Sequence, residues 1–432
     1  MKLSQFAACL VAIIIIVLKG LFNLNGFAPI DGVWQLSAFE SLNRGVYFFN
    51  EYTQMTQEHF FAVSYILTPI LNCLGKNPVQ VLYYLIYVVN CTLLFYYFKP
   101  KWFKDWLLYF VVITSVFFNQ QRIEDISLLL LLLGFISIDK KPKIVPIVVS
   151  FWMLTIPFTH PVSALLITLF SAWILWQQRS RFSGLWPFLF VVIPSLHLLL
   201  SNGSIYSDQL LDRLSSDYFG LFLKTAPFLL LILALFIERR MDKKSAAMLL
   251  MLTFLAFALG KSYYMGTILA TYLYFYHNLP INRKPSRVRI FFIWSASLAA
   301  FMIFPFNKIV QSLENKSTLG QESRVFKKLK TIQYPSGKLF VSPVIAEPFL
   351  SNARTRLALY DATNSRWVIT DNFISGDILV ATSDESLDNL IAKSGKQELQ
   401  IDTLISGNIG PILLSKGYTD RKNGVNLYLV KF

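Results

Sequence analysis

The sequence is short of charge. Only 15% of its 432 residues are Asp, Glu, Lys or Arg, while 54% are hydrophobic; a water-soluble domain carries roughly 25% charge. So little polar surface excludes an ordinary soluble body of this size and predicts that lipid is the solvent for most of the chain. Cysteine is scarce as well. Cys9, Cys73 and Cys91 all lie in apolar runs without ligand spacing, and read as small buried hydrophobes rather than a metal site or a disulfide framework. Four histidines are too scattered to form a metal cluster. Acidic residues are outnumbered 25 to 40, giving a formal net charge of +15. In a soluble protein that excess would suggest nucleic acid, but no basic stretch with interleaved aromatics occurs and no nucleic-acid partner is expected. No internal repeat or low-complexity tract is present.

What the sequence does have is apolar runs, at about 5–23, 58–75, 78–98, 106–119, 125–138, 144–158, 161–177, 183–200, 218–237, 245–260, 263–279 and 290–306. The first follows Met1-Lys2 and has no small-residue cleavage site after it, so it reads as a retained transmembrane helix rather than a signal peptide. Basic clusters separate many runs: Lys99/Lys101/Lys104, Lys140/Lys141/Lys143, Arg179/Arg181, Arg239/Arg240/Lys243/Lys244 and Arg283/Lys284/Arg287/Arg289. They alternate with cation-poor loops at 119–125, 159–161, 201–217 and 261–263. The positive-inside rule puts the basic set in the cytoplasm and the other set outside. If 58–75 spanned, every later cluster would face outward. That run, with Pro69 and Gly75, is therefore expected to lie on or re-enter the outer interface. About eleven spans result, with the N-terminus inside and the C-terminus outside.

Composition changes after residue 306. Residues 307–432 hold 16 basic and 12 acidic side chains. A polar, basic helical connector is expected at 308–333. Short β-like pieces follow at 338–342, 366–370 and 377–381, then a helix at about 384–394 with Ser383 as its cap. Asn423-Gly424 is a hairpin signal before a strand at 425–431. The expected fold is an all-α polytopic membrane protein with a small extracytoplasmic α/β domain, divided into residues 1–306, with a first external loop at 24–77, and 307–432.

Charges on the outer side are the candidate chemistry. Asp31 sits where the chain leaves the first run, flanked by Pro29 and Gly32. Val33, Leu36, Phe39 (or Glu40) and Asn43 follow at helical spacing, and Arg44-Gly45 closes that helix with a cation and a glycine stop. Asp31 is either a general base at the membrane edge or a helix cap. Arg122, Glu124 and Asp125 form a second cluster. The Arg122 fork suits a lipid phosphate, and one of the acids could hold a sugar hydroxyl; since neighbours on a helix point about 100° apart, only one acid is expected to face inward. The alternative is a solvated loop. His160, beside Pro161, is either a phosphate or hydroxyl partner or a turn residue. Lys261, followed by Tyr263 and Tyr264, defies the charge rule on the outer side and is a functional candidate by default. Lys19 belongs to the same class or simply snorkels. Asp208, Asp212, Arg213 and Asp217 read as a solvated face. Asn202-Gly203-Ser204 and Asn315-Lys316-Ser317 match a glycan acceptor pattern that matters only in a eukaryotic lumen.

Pro29-Ile30-Asp31-Gly32, Ala38 and Leu42-Asn43-Arg44-Gly45, placed after one span and before many, with an outward C-terminal domain, resemble the GT-C glycosyltransferases. Segment 65–75, with Pro69, resembles the second external segment of that family. The resemblance implies a polyprenyl-phosphate sugar donor, Asp31 as catalytic base, and Glu124 or Asp125 as a further acid. The family often has two adjacent acids in the first loop. Here Gly32 follows Asp31, so a divalent metal lacks support and no cofactor is expected beyond the lipid-linked donor. Size, phenylalanine-rich spans and the outward tail also resemble the serotype-converting bactoprenol-linked glucosyltransferases of enterobacterial prophages. Those decorate O-antigen, a lipopolysaccharide glycan, from the bacterial inner membrane. The expectation is an inverting hexosyltransferase with Arg122, Lys261 and His160 on the donor phosphate, and with Glu124, Asp125, Glu40, Arg44, Tyr263 and Tyr264 in support. Its partners would be the donor lipid, a glycan acceptor and membrane lipids. A lipid-linked glycan flippase, or an O-antigen polymerase or ligase, is the rival class.

Overall fold

The computed structural model describes residues 3–24, 30–46, 49–52, 55–56, 78–100, 124–155, 161–179, 242–259, 265–278, 318–357, 359–361, 366–368, 373–382, 400–405 and 427–432, most of 105–113, and isolated positions at 69–74, 189–193, 232–235 and 295. In chain order the elements are α1 (Leu3–Leu24), α2 (Ile30–Asn43), β1 (Phe49–Asn50), β2 (Met55–Thr56), α3 (Pro78–Phe98), α4 (Glu124–Lys140), α5 (Val145–Thr155), α6 (Pro161–Gln177), α7 (Lys243–Leu259), α8 (Met265–Asn278), α9 (Thr318–Lys330), β3 (Leu339–Val341), β4 (Thr355–Leu357), β5 (Leu359–Asp361), β6 (Arg366–Val368), β7 (Ile378–Thr382), β8 (Gln400–Ile405) and β9 (Leu427–Lys431). The protein is mostly helical, with a small sheet. Seven of the apolar runs coincide with described helices within a few residues. The runs at 183–200, 218–237 and 290–306 lie almost wholly outside the described residues, as do the expected helix at 384–394 and the Asn423-Gly424 turn.

Contacts divide the chain into two compact units, Met1–Lys19 with Leu85–Ile309, and Gly20–Tyr84 with Val310–Phe432. The first is a helical bundle with an aromatic centre. Phe135 of α4 is fully buried and its ring meets Tyr274 at 4.9 Å, Phe170 at 5.5 Å, Tyr97 at 5.8 Å and Trp152 at 6.0 Å. Five helices therefore share one ring. The Phe170 and Trp152 rings meet Phe135 edge-on, an arrangement that aromatic quadrupoles favour. Beside this hub α4 and α5 approach closely at Gly134. A Cβ there would overlap the Trp152 indole, whose Nε1 donates to the Leu130 carbonyl at 2.9 Å.

The helix ends sort by charge. α4 joins α5 through the short turn Pro142–Ile144, so these two neighbours run antiparallel. At one end Asn278 donates to the Tyr97 hydroxyl at 3.3 Å and His277 lies 3.7 Å from Asp139. Lys99 and Lys140, from two different basic clusters, converge on the Tyr96 ring at 5.5 and 5.3 Å. Arg179 and Lys244, from two others, converge on Trp176 at 4.3 and 5.6 Å. Cation–π contacts of this kind let cations gather at aromatic helix ends. Among the described residues one helix, Pro78–Phe98, is long and apolar enough to cross a membrane; Phe6–Leu21, Pro142–Leu154 and Leu165–Gln177 are shorter apolar helices. Large apolar side chains stand exposed along α1 and α5, with Ile147 and Leu154 at 69% and 68% exposure.

The second unit carries a five-stranded sheet in the order β4-β3-β7-β9-β8. β3 runs parallel to β4 and β7, and β9 is antiparallel to β7 and β8. β5 and β6 form a separate antiparallel pair. Leu339, Phe340 and Val341 of β3 are all fully buried, as a strand with neighbours on both edges and cover on both faces requires. The buried Asp377 carboxylate accepts the amides of Lys338 at 2.7 Å and Ile374 at 2.9 Å, which satisfies its charge and fixes the turn into β7. Five strands, β1, β2, β4, β5 and β8, were not anticipated from sequence. Replacing Gly134 by Ala should lower the thermal midpoint of the detergent-solubilised protein, by about 1–3 kcal/mol in unfolding free energy. An unchanged midpoint would mean that α4 and α5 do not pack at this point.

Candidate functional site

Asp31 is the second residue of α2, which begins a few residues after α1 ends. That position is the first turn of a helix, where unpaired amides and the helix dipole favour a carboxylate; its side chain lies outside the described residues. The rest of α2 is closely covered by other parts of its unit. Val33, Gln35, Leu36, Ser37, Ala38, Phe39, Ser41 and Leu42 are all buried, and these positions run right round the helix. The cover includes β1 and the turn Pro343–Ile345 of the C-terminal part. Ala38, Ser37 and Ser41 are small enough to admit such neighbours, and the Ser37 hydroxyl is satisfied by the Trp34 carbonyl at 2.7 Å.

The stop of α2 was legible in advance. Gly45 has φ +80°; its amide donates to the Leu42 carbonyl at 2.9 Å and the Val46 amide to that of Ser41 at 3.0 Å. This is the Schellman geometry that a glycine at this position permits. β1 and β2 pair as a hairpin, and Glu51 and Tyr52, which follow β1 at its turn, lie against the end of α2. The Glu51 amide donates to the Ser41 hydroxyl at 3.2 Å.

Around this turn Arg44 takes several partners. Its Nη2 donates to the Leu350 carbonyl at 3.3 Å, its Nη1 lies 3.7 Å from Glu51, and its guanidinium sits 5.2 Å over the Tyr52 ring. The fully buried Tyr52 donates its hydroxyl to the same Leu350 carbonyl, and its own carbonyl accepts the Leu357 amide at 2.7 Å. Burial pushes the Tyr52 hydroxyl well above the usual tyrosine range, with Arg44 pulling it back, so it remains a donor. Burial likewise raises the Glu40 carboxyl, opposed by the nearby charge of Arg44. At the start of α3, Gln80 donates to Glu347 at 3.1 Å.

A separate group of buried polar side chains lies in the helical bundle. Glu124 and Asp125 open α4 and are 2% and 1% exposed. Both acids are inside, contrary to the expectation that only one could be. Helix rotation separates their directions, but in this bundle both sides of the α4 terminus are covered. Asn90, buried on α3, donates to the Asp125 carbonyl at 2.8 Å. Lys19 does not snorkel: it is 1% exposed, with Nζ 5.3 Å over the Tyr87 ring. Lys19 and Asp125 both lie within electrostatic reach of Cys91. Buried charges brought together in this way offset part of one another's desolvation.

Arg122, His160, Lys261, Tyr263 and Tyr264 lie outside the described residues, as does most of segment 58–75. Of the sequence candidates, Glu40 and Arg44 fall in one network, and Glu124 and Asp125 in the other. Sequence reasoning missed Tyr52, Glu51 and Leu350, which carry no spacing signal, and Asn90, a polar residue inside an apolar run that could have been noticed. No group of three or more His, Cys, Asp or Glu side chains suited to a metal occurs among the described residues. No family model, curated protein or solved structure matches this chain.

The raised Glu40 carboxyl gives a pH test. A folded-state value above the ordinary 4.5 means that the folded protein holds this proton more tightly than the unfolded one. The stability it contributes is full below that ordinary value and is lost as pH rises through the folded one. Glu40→Gln should therefore flatten the dependence of the thermal midpoint on pH above 4.5 and raise the midpoint at neutral pH. Superimposable wild-type and Glu40→Gln profiles would show that burial does not bear on this carboxyl.

Proposed function

We propose that this protein is a GT-C-type membrane glycosyltransferase that moves a sugar from a polyprenyl-phosphate donor to a glycan acceptor on the extracytoplasmic face. The observation that carries the reading is the position of α2. A helix opening with an acid follows directly on the apolar α1 and is enclosed within the same unit as the C-terminal α/β part. A hydrophobic donor cannot leave the bilayer, so transfer must occur at its edge, and a carboxylate at the end of a first span stands where a polar acceptor could reach it.

Three further features support an eleven-span arrangement with the N-terminus in the cytoplasm. The described helices follow the apolar runs. Cations from four basic clusters gather pairwise at aromatic helix ends, as the positive-inside rule requires of loops that share a side. Apolar side chains stand exposed along α1 and α5 in a pattern that water does not tolerate and lipid does. The bacterial inner membrane, with an O-antigen or related lipopolysaccharide glycan as acceptor, is the setting that the resemblance suggests.

In the mechanism Asp31 accepts the proton of the acceptor hydroxyl. The hydroxyl oxygen attacks the anomeric carbon as the bond from that carbon to the donor phosphate oxygen breaks. The lipid phosphate leaves with the bonding pair, and the anomeric centre inverts. Negative charge grows on the phosphate in a poorly solvated place, so cations are needed there; Arg122, Lys261 and His160 are the external groups of the right chemistry. Glu124 and Asp125, both buried, are better suited to holding the bundle's outer end than to meeting solvent.

Purified protein supplied with polyprenyl-phosphate sugar should transfer it, and Asp31→Asn should lose transfer while inserting normally in the membrane. An active Asp31→Asn protein would remove the base assignment. Transport of donor lipid without transfer would favour the flippase reading, and extension or en bloc transfer of a lipid-linked glycan the polymerase or ligase reading. Cysteines at positions 31, 58 and 122 should all react with an impermeant reagent from outside; positions 31 and 122 labelling from opposite faces would end the proposal.

A further inference from the structure

We propose that Arg44 is a positioning residue that fastens α2 to the C-terminal α/β part, making residues 339–357 a fixed wall around α2 rather than a separately moving grip on the acceptor. The inference rests on the glycosyltransferase reading for its catalytic consequence, but its structural half stands alone.

A helix buried on every side has no face that can slide freely. α2 is such a helix, and part of its cover, Pro343–Ile345, comes from three hundred residues later in the sequence. Something must set the register between these two distant stretches. The Leu350 carbonyl receives both the Arg44 guanidinium and the Tyr52 hydroxyl. Tyr52 in turn accepts the Leu357 amide through its own carbonyl, so β4 is tied to the same point. The hairpin return is tied to the helix as well, through the Ser41 hydroxyl and the Glu51 amide.

Arg44 is at the centre because of its shape. A planar fork can donate to a carbonyl, lie over an aromatic ring and face a carboxylate simultaneously, which an ammonium cannot do. The Gly45 turn fixes where the side chain leaves the helix end. Movement of Arg44 would therefore shift α2 along its axis, and Asp31 sits one helix length away on the same rigid element. A catalytic group misplaced by about 1 Å can lose on the order of 100-fold in rate.

The test uses full-length protein in detergent or nanodiscs and two independent measurements. Hydrogen-exchange mass spectrometry reads the peptide that carries Leu357. Arg44→Ala should speed its exchange by about tenfold or more, while Arg44→Lys and Tyr52→Phe should each do so by less. Transfer from the lipid donor should fall about 100-fold in kcat for Arg44→Ala, with KM for the donor little changed and partial recovery in Arg44→Lys. Unaltered exchange in both Arg44→Ala and Tyr52→Phe would overturn the fastening. Faster exchange with a wild-type kcat would overturn the positioning role. Should wild-type protein transfer no sugar at all, the enzyme reading and the catalytic half fall together, and the exchange result still decides the fastening.

Discussion

A single main-chain carbonyl, that of Leu350, takes a hydroxyl from Tyr52 and a guanidinium from Arg44, and the second unit is arranged about that meeting. Tyr52 is buried too deeply to leave its hydroxyl unpaired without cost. The Arg44 charge is half withdrawn from water and needs the company it has. Once these demands are met, the chain after α2 must turn back on itself, and the segment leading to β4 must lie against it. The glycine stop, the hairpin and the buried small residues of α2 all serve that arrangement. Local sequence choices and long-range packing agree here, which is the condition for a defined structure.

The helical bundle solves a different problem. Its described helices carry little charge and pack many aromatic side chains against one another. Interdigitated rings around Phe135, and close approach at Gly134, give packing that depends on shape. Among the described residues it buries charged side chains at Lys19, Asp105, Glu124 and Asp125, together with Asn90 and several hydroxyls. Gathering opposite charges at one level limits the cost of each. Lys99, Lys140, Arg179 and Lys244 stand instead at aromatic helix ends.

Those arrangements give Glu124 and Asp125 a different place in the proposed enzyme than first expected. A carboxylate that holds a sugar hydroxyl must be reached by it, and side chains exposed by one or two per cent are not. α2 has a better claim, since its N-terminal turn follows a few residues after the end of the apolar α1. The C-terminal α/β part then acquires a role that composition never suggested. It encloses the helix that bears the candidate base.

The apolar runs, the stop of α2 at Arg44-Gly45, the strands at 339–341, 366–368, 378–382 and 427–431, and the mixed nature of the C-terminal part follow from sequence alone. Each is governed by neighbours within a few residues: hydropathy over a helix length, a glycine that permits positive φ, alternation along a strand. Periodicity could not reveal that α2 is covered on every side, that Glu124 and Asp125 are both inside, or that Lys19 lies against Tyr87. Nor could it show that Arg44 and Tyr52 share the carbonyl of a residue some three hundred positions away. Burial on a second face and the choice of a distant partner depend on what the rest of the chain brings alongside, and only the folded chain decides that.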